Sequence, residues 1–173
     1  MRPNSHRSGL SPGGVFYPVL AVSRFEEALS AAGIVDVDVR RFPDGTRTAE
    51  DAARAIGCEV GQIVKSLVVL AGGMPTLALV SGANRLDLRR LEPLLGAPVR
   101  MAAPDAVRAA TGYSIGGVPP VGLATPLRVL MDSDLLGHDL VWAAAGRPDT
   151  VFSITPERLR ELAAATVVEL SAS

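Results

Sequence analysis

Residues 62–73, QIVKSLVVLAGG, and residues 75–82, PTLALVSG, form the most apolar part of the chain. Both segments are rich in valine, leucine and alanine, and a turn region of Gly72, Gly73 and Met74 lies between their apolar runs. Short apolar runs bounded by turn residues are typical of strands buried in the centre of a sheet. The sequence therefore predicts two adjacent, antiparallel strands at the core of the fold.

Lys65 lies inside the first of these segments and is the only lysine among 17 lysine and arginine residues. Strand alternation places Lys65 on one face with Ile63 and Leu67, and Ser66 on the opposite face with Val64. A buried ammonium group is costly unless it pairs with a carboxylate or meets an anionic ligand. Two interpretations stay open: a structural lysine that pairs or extends to the rim of the sheet, and a ligand-binding lysine.

Upstream of the central strands, the pattern alternates between helix and strand. Residues 22–32, VSRFEEALSAA, place apolar side chains at helical spacing before Gly33. Residues 35–42, VDVDVRRF, alternate apolar and charged residues as a half-exposed strand does. Thr48 and Asp51 resemble a capping box that opens a helix ending at Gly57.

Downstream, short helical and strand patterns follow each other without a regular βαβ rhythm. Helices are predicted at 86–96, where Pro93 introduces a kink or a new turn, at 104–112 and from Thr155 onwards. Strands are predicted at 98–101, 126–132, 139–146, 151–154 and 166–170. This order predicts an α+β fold with a mixed, largely antiparallel sheet and surrounding helices. We expect residues 1–20 to be a flexible lead-in and residues 21–173 to form a single domain.

Composition limits the function. The chain has 173 residues, 48% of them hydrophobic, but its apolar runs are far shorter than the roughly 20 residues of a membrane-spanning helix. The N-terminus lacks a signal-peptide pattern and Cys58 is the single cysteine, so we expect a cytoplasmic protein without a membrane partner. A net charge of −1 lacks the positive field of proteins that bind long stretches of nucleic acid, so we expect any nucleic-acid contact to be local and expect no DNA partner.

Residues 113–122, YSIGGVPPVG, form the most loop-like internal segment. Glycines let a backbone approach a ligand and direct N–H groups at an oxyanion, and the prolines stiffen the loop. An ordinary tight turn is the alternative interpretation. No lysine followed by a hydroxyl residue comes after the glycines in the arrangement of a phosphate-binding loop.

The sequence gives little support for a metal site or for a nucleophilic side chain. His6 lies in the lead-in, and His138 has no second histidine or cysteine at ligand spacing, so no metal is predicted. A G-x-S-x-G nucleophile turn is absent from the sequence. Cys58 fits better as a small apolar residue than as a reactive thiol.

Four segments in order resemble the YbaK/ProX family of aminoacyl-tRNA editing domains: EDAARAIG with QIVKSLVVL, LDLRRLEPLLG, TGYSIGGVPPVG and AAAGRPDTVFSITPERLREL. The resemblance runs from about Val22 to the C-terminus. The family is similar to the editing insertion domain of bacterial prolyl-tRNA synthetases. The resemblance implies a trans-editing hydrolase that removes a wrong amino acid from tRNA at the 3′ terminal adenosine, with Cys- or Ala-tRNA(Pro) as substrate.

The resemblance also implies the site. The key lysine of the family falls on Lys65 and its Gly-x-x-x-Pro loop on Gly116 through Pro120, so Lys65 and Gly116 are the implied catalytic residues. Substrate contacts are implied for the following residues: Phe42, Ser66, Tyr113, Gly117, Val118, Pro119, Pro120, Gly146 and Val151. The chemistry implied uses substrate groups and bound water and needs no cofactor, metal or ATP. The implied partners are the acceptor end of a mischarged tRNA and prolyl-tRNA synthetase.

The chain departs from the family pattern at two places. Phe42 stands where free-standing members specific for cysteinyl-tRNA often carry tyrosine. Ala144, Ala145, Gly146 and then Val151 replace a Ser-Gly-Gly and a following Asp. These replacements imply a more apolar pocket. The loss of the polar residues also leaves open the alternative of a non-catalytic regulator that binds an acceptor end or a synthetase. Arg85, Arg89 and Arg90 are candidate phosphate contacts or a solvated helix face.

Overall fold

The computed structural model describes residues 23–44 and 46–172. The lead-in predicted at residues 1–20, with His6, lies outside these ranges. Within them, none of the helices is both long and apolar enough to cross a membrane.

The described residues form eight strands and five helices in an α+β arrangement. The strands are β1 (Val39–Arg41), β2 (Val64–Ala71), β3 (Met74–Ser81), β4 (Val99–Met101), β5 (Arg128–Asp132), β6 (Val141–Ala144), β7 (Thr150–Ile154) and β8 (Thr166–Val168). The helices are α1 (Arg24–Ala31), α2 (Ala49–Ile56), α3 (Leu88–Leu95), α4 (Pro104–Thr111) and α5 (Pro156–Leu162).

The strands build two sheets. The larger has the order β4-β2-β3-β5-β8, in which β2 pairs antiparallel with β3 and β4, and β5 pairs parallel with β3 and β8. The smaller has the order β1-β7-β6 and is antiparallel throughout. A single bridge between Ile63 and Trp142 joins β6 to the start of β2. The predicted mixed, largely antiparallel sheet is thus confirmed, but it is divided in two.

Local chemistry explains the central hairpin and its neighbouring helices. Gly72 and Gly73 have φ angles of 56° and 83°, which a two-residue hairpin with the natural strand twist requires. Thr48 caps α2 by accepting a hydrogen bond from the Asp51 amide at 3.0 Å, and Gly57 ends the helix in the left-handed conformation. The predicted strand pair and the predicted α2 are confirmed.

Both faces of the larger sheet are covered. On one face Val68 and Leu79 pack in the main core with Phe25 of α1 and Phe152 of β7. On the other face Val69, Ala78 and Val80 pack against Leu91 of α3. A third cluster joins α2 to Ile63 and Trp142. Because alternate residues of β2 enter different cores, the alternation predicted for residues 63–70 is confirmed.

Several predicted boundaries are wrong. The strand predicted at 35–42 is reduced to three exposed residues, because only Val39–Arg41 find partners on β7. Pro93 begins no new helix: it lies inside α3, which continues to Leu95. The last strand ends at Val168, and α1 spans Arg24–Ala31 with Ser23 as its cap. Lys65 is half-buried rather than buried, because it lies near the open end of β2.

Candidate active site

An unpaired stretch of β2 defines the candidate site. β4 pairs only with Val69–Ala71, so residues 64–67 have no β4 partner on that edge. Beside this stretch is a groove of about 310 Å³, which we call the Lys65 groove. Its walls come from the start of β2, from α2, from the loop at Gly116, and from the smaller sheet at Trp142, Ala144 and Val151. The groove therefore lies where the two sheets and the glycine loop meet.

Lys65 projects from β2 on the face that carries Leu67 and Val69, and lines the groove. Its ammonium donates a hydrogen bond to the main-chain carbonyl of Asn84. No carboxylate oxygen of the described residues lies within 4.0 Å of it. Burial lowers the pKa of Lys65 from its ordinary value, while Glu50 and Asp132 act in the opposite sense. A positive charge without a contact ion pair at a groove is available to an anionic ligand.

Ser66 lies next to Lys65 and also lines the groove. Its hydroxyl is buried and is the one side-chain polar atom in the described parts of the chain that is buried without a hydrogen-bond partner. A buried hydroxyl without a partner costs free energy. Because Ser66 lines the groove, its hydroxyl is the candidate partner for a bound ligand.

The loop of residues 113–122, which we call the glycine loop, is anchored by the buried residues that follow the exposed Gly116. Gly116 is exposed at the groove, with a φ of 87° that favours glycine strongly. Val118 is 1% exposed and packs in the main core, and Pro119 and Pro120 are buried beside it. A rigid base thus presents the Gly116 backbone to the groove.

Close backbone packing also fixes the loop. A Cβ on Gly117 would lie 3.0 Å from the Arg147 carbonyl carbon, and a Cβ on Gly122 would lie 2.4 Å from the Arg24 oxygen. The turn that contacts Gly117 is held by Asp149, which bonds to Arg41 at 2.9 Å and pairs with Arg147 at 3.4 Å. The hydrogen bond from Arg41 lowers the pKa of the Asp149 carboxyl. Neither glycine can be replaced without moving main chain.

The remaining walls of the Lys65 groove are mainly apolar. Trp142 is 5% exposed, and the Arg40 guanidinium lies 4.7 Å from its ring centroid. Arg47, Thr46 and Thr48 add one cation and two hydroxyls at the start of α2. The groups that can act on a ligand are therefore cations, hydroxyls and main-chain amides, which suit stabilisation of negative charge.

A second groove adjoins Lys65 on its other side. This Asn84 groove, of about 420 Å³, is lined by Lys65, Glu50, Asn84, Arg85 and other residues of the loop after β3. Its lining is more polar than that of the Lys65 groove. Lys65 therefore stands at the boundary between an apolar and a polar groove.

The predicted site residues divide into two groups. Lys65, Ser66, Gly116, Val118 and Val151 all line the Lys65 groove. Gly117 lies next to it, packed on the Arg147–Pro148 turn.

The other predicted residues lie elsewhere. Tyr113 and Gly146 line a different groove, of about 450 Å³, which we call the Tyr113 groove. Burial raises the pKa of Tyr113, and its hydroxyl donates to the Gly122 carbonyl at 2.8 Å. Pro119 and Pro120 are buried under the loop, and Pro120 borders a surface depression beside α1. Phe42 follows β1, where its amide donates to the Asp149 carbonyl at 2.7 Å.

Sequence reasoning missed Trp142, Arg47 and Asn84. Trp142 is the only tryptophan, and uniqueness could have singled it out as it did Lys65. Asn84 stands in the S-G-A-N-R turn after β3, and no local pattern indicates that its carbonyl accepts from Lys65. Of the arginines named as phosphate contacts, Arg85 lines the Asn84 groove, whereas Arg90 pairs with Glu169 at 3.4 Å.

Cys58 and His138 take no part in the Lys65 groove. Burial raises the pKa of the Cys58 thiol, which keeps it protonated at neutral pH. His138 packs against Gly61, where its Nε2 would lie 3.0 Å from an added Cβ. Within residues 23–44 and 46–172, no group of three or more His, Cys, Asp or Glu side chains is placed to hold a metal ion.

Comparison with protein-family models finds a match over residues 43–162 to the model described as an aminoacyl-tRNA editing domain. The match contains the whole of β2, the loop at Gly116 and the turn at Arg147. The segment that builds the Lys65 groove is therefore the segment that the family model describes.

Three similar proteins carry informative names. A solved structure of a proposed trans-editing enzyme for prolyl tRNA synthetase is 50% identical, with a TM-score of 0.81 over 87% of this chain and 96% of that one. A proline–tRNA ligase of Nitratidesulfovibrio vulgaris is 38% identical over 61% of this chain, which corresponds to 19% of the ligase. EbsC of Enterococcus faecalis, a proposed Cys-tRNA(Pro)/Cys-tRNA(Cys) deacylase, is 27% identical over 72% of this chain and 77% of EbsC.

Proposed function

The chain belongs to the aminoacyl-tRNA editing domain family, and we propose that it is a free-standing deacylase that hydrolyses the ester of a mischarged tRNA at the 3′ terminal adenosine. The observation that carries the proposal is the Lys65 groove. It combines a lysine without a contact ion pair, a buried hydroxyl without a partner and the exposed Gly116 backbone.

Each group has a role in ester hydrolysis. Water adds to the carbonyl carbon of the ester, and the bond between that carbon and the ribose oxygen breaks. A proton from the water passes to the ribose oxygen, so the products are the free amino acid and a tRNA with its hydroxyl restored. Negative charge develops on the carbonyl oxygen during this step, and we assign its stabilisation to the main chain at Gly116, which lines the groove. Lys65 holds the terminal phosphate or ribose oxygens.

The proposed substrate is tRNA(Pro) carrying cysteine or alanine, with prolyl-tRNA synthetase as a further partner. The names of the similar proteins support the proline system. The amino acid enters the Lys65 groove, whose walls include small apolar residues. Ala144 and Val151 line it, so an apolar side chain is preferred to a charged one.

A deacylation panel tests the proposal. Purified protein is incubated with alanyl-, cysteinyl-, seryl- and prolyl-tRNA(Pro), with and without prolyl-tRNA synthetase, and loss of the ester is followed. We expect rapid loss of alanine or cysteine and persistence of proline. Binding of charged tRNA with an unchanged ester lifetime across the panel would reject the enzyme and support the non-catalytic regulator instead.

A further inference from the structure

The loop after β3 and the end of β5 contain a polar cluster that the reaction itself does not use. Asp132, the last residue of β5, is 1% exposed. One of its oxygens accepts from the Ser81 amide at 3.3 Å and from the Asn84 side chain at 2.9 Å, and the other accepts from the Asp134 amide at 3.3 Å. A buried carboxylate with this many donors is costly to move.

Asn84 links this carboxylate to Lys65. Its side-chain nitrogen also donates to Asp134 at 2.6 Å, so both N–H groups are engaged. Its own amide donates to the Ser81 carbonyl at 2.9 Å. With side chain and main chain both fixed, the Asn84 carbonyl has one orientation, and that carbonyl accepts the hydrogen bond from Lys65.

We propose that Asp132 and Asn84 form a positioning device for Lys65. The buried carboxylate orients the asparagine, and the asparagine carbonyl holds the lysine ammonium at the boundary of the two grooves. The proposal deepens the proposed function, on which it rests only for the statement that Lys65 binds substrate.

The choice of a carbonyl as the partner has a chemical consequence. A carboxylate in direct contact would neutralise Lys65 and compete with an anionic ligand, whereas a neutral carbonyl fixes the ammonium and leaves two N–H groups free to donate. The charged groups around Lys65 act at longer range: Glu50 on α2 and Asp132 on β5 favour the ammonium form, and Arg85 opposes it. The cluster thus orients the charge without cancelling it.

The single lysine makes the test direct, because every side-chain lysine signal comes from Lys65. The protein is labelled with ¹³C,¹⁵N-lysine, and NMR measures the mobility of the Lys65 Cε–Nζ group and its pKa. The variants are Asn84→Ala, which keeps the carbonyl and the main-chain bond to Ser81 but removes the side-chain bonds to Asp132 and Asp134, and Asp132→Asn, which keeps the shape but removes the charge. Asp139→Asn, at an exposed position, is the control.

In Asn84→Ala we expect the order parameter of the Lys65 side chain to fall by at least half and kcat/KM to fall about tenfold. In Asp132→Asn we expect the pKa of Lys65 to fall, because the carboxylate favours the ammonium form. Asp139→Asn should change neither quantity. If Asp132→Asn unfolds, the order parameter of Lys65 in Asn84→Ala alone tests the positioning device.

An unchanged order parameter in folded Asn84→Ala would overturn the positioning device, even if the variant has a lower melting temperature. The NMR readout does not depend on turnover. A wild-type protein that deacylates no tRNA but shows the Asn84→Ala effect would therefore retain the device and lose the proposed function. If the wild type deacylates tRNA but Asn84→Ala leaves the order parameter of Lys65 unchanged, the proposed function is retained and the positioning device is rejected.

Discussion

The Lys65 groove and the Tyr113 groove differ in how their polar groups are satisfied. The Tyr113 groove is the larger, about 450 Å³ against about 310 Å³. Its principal hydroxyl, on Tyr113, already donates to the Gly122 carbonyl. In the smaller groove the Ser66 hydroxyl has no partner and Lys65 has no contacting carboxylate. The comparison teaches that the free bonding capacity of the lining groups, rather than the volume, is what distinguishes the proposed substrate site from the other groove.

The largest effect should come from Lys65→Ala. Losing charge-assisted hydrogen bonds worth about 2–3 kcal/mol lowers kcat/KM for deacylation about 100-fold. The melting temperature should stay close to that of the wild type, because burial disfavours the ammonium that is removed. Arg160→Ala removes an exposed positive charge on α5 and is the matched control. Equal losses of activity in both variants would show that only net charge matters.

Gly116→Ala should have the next largest effect. At a φ of 87° an alanine is strained by about 1–2 kcal/mol, and the shift of the loop should lower kcat/KM about tenfold. Gly73→Ala is the matched control, because its φ is 83°, an added Cβ meets nothing within 4 Å, and it lies in the β2–β3 turn. Both variants should lose similar stability in urea unfolding, and only Gly116→Ala should lose activity. Equal activity in the two would remove the loop from the mechanism.

Ser66→Ala should affect binding more than folding. Its hydroxyl has no partner to lose, so the free energy of unfolding stays the same or rises, while KM increases about fivefold. Thr111→Val gives the contrast in stability: the Thr111 hydroxyl is fully buried and donates to the Val107 carbonyl at 2.7 Å. That variant should lose about 1–3 kcal/mol. A destabilised Ser66→Ala with normal KM would mean that the hydroxyl serves the fold.

The smallest effect on activity should come from Tyr113→Phe. The hydroxyl ties the two ends of the glycine loop through Gly122, so unfolding should become easier by about 1 kcal/mol. Activity, measured as kcat/KM, should change less than threefold because the ring still lines the Tyr113 groove, away from the Lys65 groove. A loss as large as that of Gly116→Ala would place Tyr113 in the substrate site and contradict the comparison of the two grooves.

Patterns with a strong local cause were predicted from the sequence. The glycine pair at 72–73, the threonine cap at Thr48 and the apolar runs on both sides of the turn produced the hairpin and α2 where expected. The strand predicted at 35–42 is too long. Alternation shows that a segment is amphipathic but does not show how many of its residues pair with another strand, and only three of them pair with β7. At Pro93 the structure decides against a new helix, because α3 continues through it to Leu95.

The candidate site was predicted in part for the same reason. Lys65, Ser66 and Gly116 stand in segments whose sequence is distinctive, and the structure brings them to one groove. Tyr113 shares a segment with Gly116, and Gly146 shares one with Val151, but both line another groove, since neighbours in a loop can face different cavities. The closeness of two residues in the sequence of a loop therefore does not show whether they line the same cavity.

The sequence by itself determined the α+β class, the central hairpin, the family and the distinctive Lys65, because each depends on short-range periodicity or on a residue type. Only the tertiary structure decided what surrounds that lysine. The Asn84 carbonyl, the Asp132 carboxylate and Trp142 come from separate strands and loops, 19, 67 and 77 positions along the chain from Lys65. Their meeting depends on the pairing of β3 with β5 and on the bridge from Ile63 to Trp142, and such long-range pairing leaves no local pattern.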